Sequence, residues 1–177
     1  DGEHPRISAD GQTVAFDSDA TDLPGGEVNG RAVDVFVRSF TTGALTAVTA
    51  GTDGNATADG LSTDGGRIAF TSAAPGIVPA DTNGESDVFV RDLVTGATVR
   101  ASLGPAGSEL DAPSAQGALS SDGRTVAFVS RARNATSENS PSYRARVYRR
   151  DLTTGDTVLA SPGLDLRPRS LIAEPRG

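Results

Sequence analysis

Apolar residues in this chain come in bursts of three to five, separated by Gly, Asp, Asn, Thr and Pro. No stretch of ten or more residues keeps a helical period. The bursts repeat. Ile7-Ser8-Ala9-Asp10-Gly11 leads to Val14-Ala15-Phe16, Leu61-Ser62-Thr63-Asp64-Gly65 to Ile68-Ala69-Phe70, and Leu119-Ser120-Ser121-Asp122-Gly123 to Val126-Ala127-Phe128. A second burst follows each of these: Asp34-Val35-Phe36-Val37-Arg38, Asp87-Val88-Phe89-Val90-Arg91 and Arg146-Val147-Tyr148-Arg149-Arg150. Thr42-Gly43, Thr95-Gly96 and Thr154-Gly155 close the pattern. Three elements in one order, three times over, define a structural repeat.

Each copy predicts four short strands. The first ends at Ile-Ser or Leu-Ser, and an Asp-Gly step then favours a tight turn because Gly accepts positive φ. Val/Ile-Ala-Phe makes the second strand and Val-Phe-Val or its Tyr variant the third. A Thr-Gly turn leads to a fourth, such as Ala97–Ala101. The second strand alternates large with Ala and the third is apolar on both sides, as in strands buried on two faces. Four-stranded sheets stacked around an axis satisfy this pattern. The expected fold is therefore all-β, a β-propeller segment of three four-stranded antiparallel blades. The blades are expected near 5–58, 59–116 and 117–161 of a single domain, with 162–177 a tail or the start of a further blade.

Composition narrows the class. Glycine (21) and proline (10) together exceed their usual share of roughly 12%, which suits many turns. There is no Cys, so no disulfide frame or thiolate site. No apolar run is long enough to span a membrane, and the net charge of -7 argues against nucleic acid. The chain opens at Asp1 without Met or a leader; the expectation is a removed signal segment or excision from a longer chain.

Ser62-Thr63-Asp64-Gly65, Ile68-Ala69-Phe70-Thr71-Ser72, Val78-Pro79-Ala80-Asp81-Thr82-Asn83-Gly84, Asp87–Leu93 and Thr95-Gly96 together resemble the TolB-type β-propeller repeat, a WD-repeat-like blade. The similarity runs from residue 5 to about 161. It implies a bacterial protein that is secreted or held in the cell envelope or periplasm. Such blades serve in binding proteins and as accessory domains of serine peptidases, so function has to be argued from sites.

Catalytic chemistry has little to build on. His4 is the single histidine, and neither a Gly-x-Ser-x-Gly elbow nor a phosphate-binding Gly loop occurs. No enzymatic activity is expected. Seven of the eight aromatic residues fall at repeat positions and are read as core; Tyr143 alone is spare. The Ser-x-Asp-Gly turns are read as self-capping. The best chemical candidate is the loop Asp81-Thr82-Asn83-Gly84-Glu85-Ser86-Asp87, whose alternating oxygens resemble the front of a calcium loop. Asp81, Asn83, Glu85 and Asp87 are the candidate ligands, against an ordinary Asn-Gly turn with acidic neighbours. Glu27, Asn29 and Asp34 form a looser version in the first copy. Arg146 stands where a third Asp would be.

Charge is divided along the chain. Residues 1–116 hold 6 Arg against 17 acids, and residues 117–177 hold 10 Arg against 6. Arg131, Arg133, Arg144, Arg146, Arg149 and Arg150 form a candidate docking surface for an acidic protein partner, against a solvated blade edge. Three blades do not make a ring. Left wet, a terminal face of Val, Phe and Ala forfeits on the order of 10 kcal/mol at about 25 cal/mol per Å². Further blades are expected to cover those faces, or a head-to-tail homodimer in which the basic third blade meets the acidic first.

Overall fold

A computed structural model describes residues 2–24, 32–79, 81–138 and 143–161. Twelve strands form three separate four-stranded sheets, each antiparallel and each in chain order. Blade 1 holds β1 (Gly2–Ile7), β2 (Thr13–Ser18), β3 (Asp34–Ser39) and β4 (Leu45–Ala47). Blade 2 holds β5 (Ala56–Leu61), β6 (Arg67–Ser72), β7 (Asp87–Asp92) and β8 (Thr98–Arg100). Blade 3 holds β9 (Ser114–Leu119), β10 (Thr125–Ser130), β11 (Arg146–Asp151) and β12 (Thr157–Leu159). One short 3-10 turn, Pro105–Gly107, breaks the all-β order. The inner strands start earlier than expected: β5 at Ala56 and β9 at Ser114, so blade limits of 58/59 and 116/117 fall inside strands. Each inner strand also carries a bulge, seen as a register shift between Glu3 and Arg6, between Ala58 and Gly60, and in β9 opposite Ala127 and Val129.

The repeat explains the packing. Phe16–Phe36, Phe70–Phe89 and Phe128–Tyr148 are cross-strand stacked pairs with centroids 5.7, 5.4 and 5.8 Å apart, each adding about 0.5–1.5 kcal/mol beyond area burial. Each blade has an aromatic face and a small-residue face. Ala15, Val35, Val37 and Val48 of blade 1 receive Ile68, Phe70 and Phe89 of blade 2. Ala69, Val88, Val90 and Ala101 of blade 2 receive Val126, Phe128 and Tyr148 of blade 3. Blade 2 is thus covered on both faces. On the outer side of blade 3, Val147 remains 38% exposed where the matching Val35 and Val88 are fully buried. On the outer side of blade 1, Phe36 is fully buried and its partner Phe16 half-buried.

The Ser-x-Asp-Gly turns cap themselves in all three copies. Ser8, Ser62 and Ser120 Oγ each donate to the Asp two residues on at 2.6 Å. The same hydroxyls accept the N–H of Thr13, Arg67 and Thr125. These bonds hold the Asp10, Asp64 and Asp122 carboxyls below their usual range, the serine bond contributing most. The turns also tie blade to blade. Ala9 N–H donates to Thr63 O at 3.1 Å, and Thr63 N–H to Ser121 O at 3.0 Å. The close approach needs glycine: a Cβ on Gly65 (φ +66) would sit 2.5 Å from Thr13 Oγ1, and one on Gly123 (φ +66) 2.8 Å from Arg67 Cδ.

Candidate functional site: a buried charge cluster and the cleft beside it

Asp87 opens β7, and Arg100 closes β8 directly opposite Phe89. Antiparallel pairing brings the two side chains to the same end of the sheet. Arg100 Nη1 lies 3.3 Å from Asp87 Oδ2 and 2.7 Å from Glu109 Oε1, and Nη2 lies 3.2 Å from Asp81 Oδ1. Its side chain is 3% exposed. The remaining oxygens have partners too. Ser102 Oγ donates to Asp87 Oδ1 at 2.5 Å, and Asn83 Nδ2 donates to Asp87 Oδ2 at 3.1 Å and to Leu110 O at 3.2 Å. Thr82 donates its N–H and hydroxyl to the two oxygens of Glu109. Those Thr82 bonds, and then Arg100, pull the Glu109 carboxyl down to about 2. Burial pushes the Asp87 carboxyl up, against the pull of Ser102, Arg100 and Asn83.

The residues expected to ligate calcium are therefore brought together, but around a guanidinium. Asp81 and Asp87 face Arg100, Asn83 turns its amide nitrogen toward Asp87, and its oxygen accepts the N–H of Glu85. Among the described residues no group of three or more His, Cys, Asp or Glu has the geometry of a metal site. Arg100 and Glu109 escaped the sequence reading because neither is a repeat residue. The signal was an Arg at a position where the other copies carry Ala47 and Leu159.

In blade 1 the same scaffold lacks the arginine. Asp34 is fully buried, its Oδ1 accepts Thr49 Oγ1 at 2.7 Å, and Thr49 Oγ1 accepts Val35 N–H at 3.0 Å. This mirrors Asp87, Ser102 and Val88. Among the described residues Asp34 Oδ2 has no hydrogen-bond partner. Glu27 and Asn29 lie outside the described residues.

The six arginines do not form one surface. Arg131, Arg133, Arg144 and Arg149 are exposed and Arg146 is half-buried. Arg133 lies over the Tyr143 ring at 5.3 Å, which gives the spare tyrosine a partner. Arg150 leaves the group altogether: it is 7% exposed and donates to Leu103 O and Thr157 Oγ1. It points into a cleft of about 650 Å³ between the outer strand of blade 2 and the end of β11, walled by Val78, Val99, Leu103 and Leu152.

His4 Nδ1 meets the buried Asp17 carboxylate at 2.8 Å, while Asp17 Oδ1 accepts Ala58 N–H at 2.6 Å across the blade interface. Asp17 thus clamps blade 1 to blade 2, and burial raises its carboxyl.

No family model and no curated protein matches the sequence. Solved structures do. TolB from Acinetobacter baumannii superposes with a TM-score of 0.56 at 22% identity, over 89% of this chain and 32% of its own. The fold is that of β-propeller blades. A putative TolB from Agrobacterium tumefaciens gives 0.57 at 16% identity, over 89% of this chain and 45% of its own. The β-propeller domain of the trilobed protease from Pyrococcus furiosus gives 0.56 at 18% identity, over 89% and 40%. The chain spans less than half the length of each of these propellers. Among its described residues no helix is long and apolar enough to cross a membrane.

Proposed function

We propose that the chain is a non-enzymatic binding or scaffold module, a set of propeller blades in a secreted or envelope-associated bacterial protein. The observation that carries this reading is the one-way stacking. Blade 2 is covered on both sides and its Val88 is fully buried, whereas the matching Val147 on the outer side of blade 3 stays 38% exposed. Propellers use about 4 to 8 blades, so further blades or a protein partner belong on that face. A second copy, docked head-to-tail, is the alternative occupant. The TolB resemblance supports the envelope location. The likeness to the trilobed-protease propeller supports a second reading, an accessory domain of an exported hydrolase whose catalytic part is another domain. In either case the chemistry lies elsewhere: His4 pairs with Asp17, and no serine donates to it among the described residues. In blade 2 Arg100 takes the role that calcium would have played.

The test has two parts. A panel of chromogenic esters and peptides is expected to show no turnover; activity lost on mutating a single Ser or Asp would overturn the reading. Light scattering behind a sizing column, at low and high salt, is expected to show either self-association or a monomer that binds a hydrophobic dye. A compact monomer that binds no dye would contradict the open face.

A further inference from the structure

The two buried arginines among the described residues differ in one respect. Arg100 meets three carboxylates. Arg150 has no carboxylate within ion-pair distance among the described residues: its Nη1 donates to Leu103 O at 3.2 Å and Thr157 Oγ1 at 2.8 Å, and Asp156 attracts it only from farther off. A guanidinium carries five donors, and a buried charge without a counter-ion is costly. The matching residue of blade 2, Arg91, makes the same bond to Thr98 Oγ1 but is more exposed. Leu103 and the 104–110 loop make the difference, since they roof the cleft into which Arg150 points.

The other features of the cleft select the kind of anion. Val78, Val99, Leu103 and Leu152 give it apolar walls. Thr98, Val99 and Arg100 form β8, the last strand of its sheet, so one backbone edge has no strand partner and can pair with an extended chain. Glu109, also in the cleft, has both oxygens engaged by Thr82 and Arg100. The nearby Asp81, Asp87 and Glu109 outnumber Arg100, which disfavours a dianion such as phosphate. A single carboxylate followed by apolar groups on a peptide backbone fits all of these features.

We propose that the cleft between β8 and the end of β11 binds the free C-terminus of an apolar peptide, its carboxylate on Arg150 and its backbone along β8. This rests on the binding-module reading and gives that module a ligand class. The test uses the full chain and a fluorescein-labelled hexapeptide ending in Val-Leu, as the free acid and as the C-terminal amide, read by fluorescence anisotropy. The acid is expected to bind in the micromolar range and the amide about tenfold more weakly or worse, the loss of a charge-assisted contact. Arg150→Gln should weaken the acid to the level of the amide and leave the amide unchanged, while Arg91→Gln should change neither. Because Arg150→Gln alters a buried side chain, Leu152→Asp, at the cleft wall, provides a second variant expected to abolish binding. Circular dichroism and melting check that both variants fold. Equal binding of acid and amide, or no binding of either up to about 1 mM, would overturn the proposal. The module reading would then still stand or fall on turnover and self-association.

Discussion

Blades 1 and 2 place an aspartate at the same point of the same strand and treat it differently. Asp87 and Asp34 are both fully buried, and both accept a hydroxyl that in turn accepts the N–H of the next residue. Blade 2 adds Arg100, Asn83 and a shared network with Asp81 and Glu109. Blade 1 has Ala47 in place of the arginine, and among the described residues Asp34 Oδ2 has no partner. Both blades thus bring a hydroxyl to the aspartate from just past the fourth strand, but only blade 2 brings a guanidinium from the last residue of that strand. A motif can be copied faithfully while its electrostatics diverge.

Making blade 2 resemble blade 1 is the harshest test of this contrast. Arg100→Leu leaves three carboxylates facing one another in a largely dry site, and breaking a buried pair this way costs about 3–5 kcal/mol. Urea denaturation should show that loss with little change in slope. Partial recovery is expected when Asp87→Asn is added, because the uncompensated charge is then reduced. Asp34→Asn should behave in the opposite manner. It preserves the acceptor for Thr49 and removes a charge with no counter-ion among the described residues, so stability is expected to hold or to rise by about 1 kcal/mol. A loss as large as that of Arg100→Leu would show that Asp34 has a partner after all.

Acidity separates members of the cluster. Glu109 titrates near 2 in the folded chain against an ordinary 4.5. The stability it adds is present above about pH 4.5 and is lost as pH falls toward 2. Asp87 is shifted the other way by burial, so its contribution is largest below 3.8 and is lost as pH rises through its folded value. Glu109→Gln is accordingly expected to flatten the acid side of the stability curve between about pH 4.5 and 2. An unchanged curve would remove Glu109 from the network. The smallest effect concerns calcium: with Arg100 in place, Asp87→Ala should leave the response of the melting temperature to millimolar calcium unaltered. A calcium-dependent rise in the wild-type chain that this variant abolishes would restore the cation reading of blade 2.

The fold was legible because each repeated residue does a local job. Ser62 and Asp64 close their own turn, Gly65 takes positive φ, and Phe70 stacks on Phe89 within one sheet. The first and fourth strands were placed to within a few residues, and the bulges in the inner strands leave no mark in the pattern of apolar positions. The candidate site was only half legible. Asp81, Asn83 and Asp87 do converge, but the group that draws them together is a side chain 13 residues beyond Asp87 and outside the motif. Arg150 looked like one of six surface arginines because charge runs say nothing of burial; only the Leu103 roof buries it.

The account's central claim is that the blades are joined in one direction through their turns. It is tested most directly by amide hydrogen exchange, resolved residue by residue, on the monomeric fraction of the chain. Ala9 and Thr63 donate to the turn of the next blade, whereas Ser121 has no such acceptor among the described residues. Ala9 and Thr63 should exchange slower than Ser121 by on the order of 100-fold, and Ser121 should slow as well once a blade, a partner or a second copy covers its face. Exchange of Ala9 and Thr63 as fast as that of Ser121 would contradict the stacking on which the rest is built.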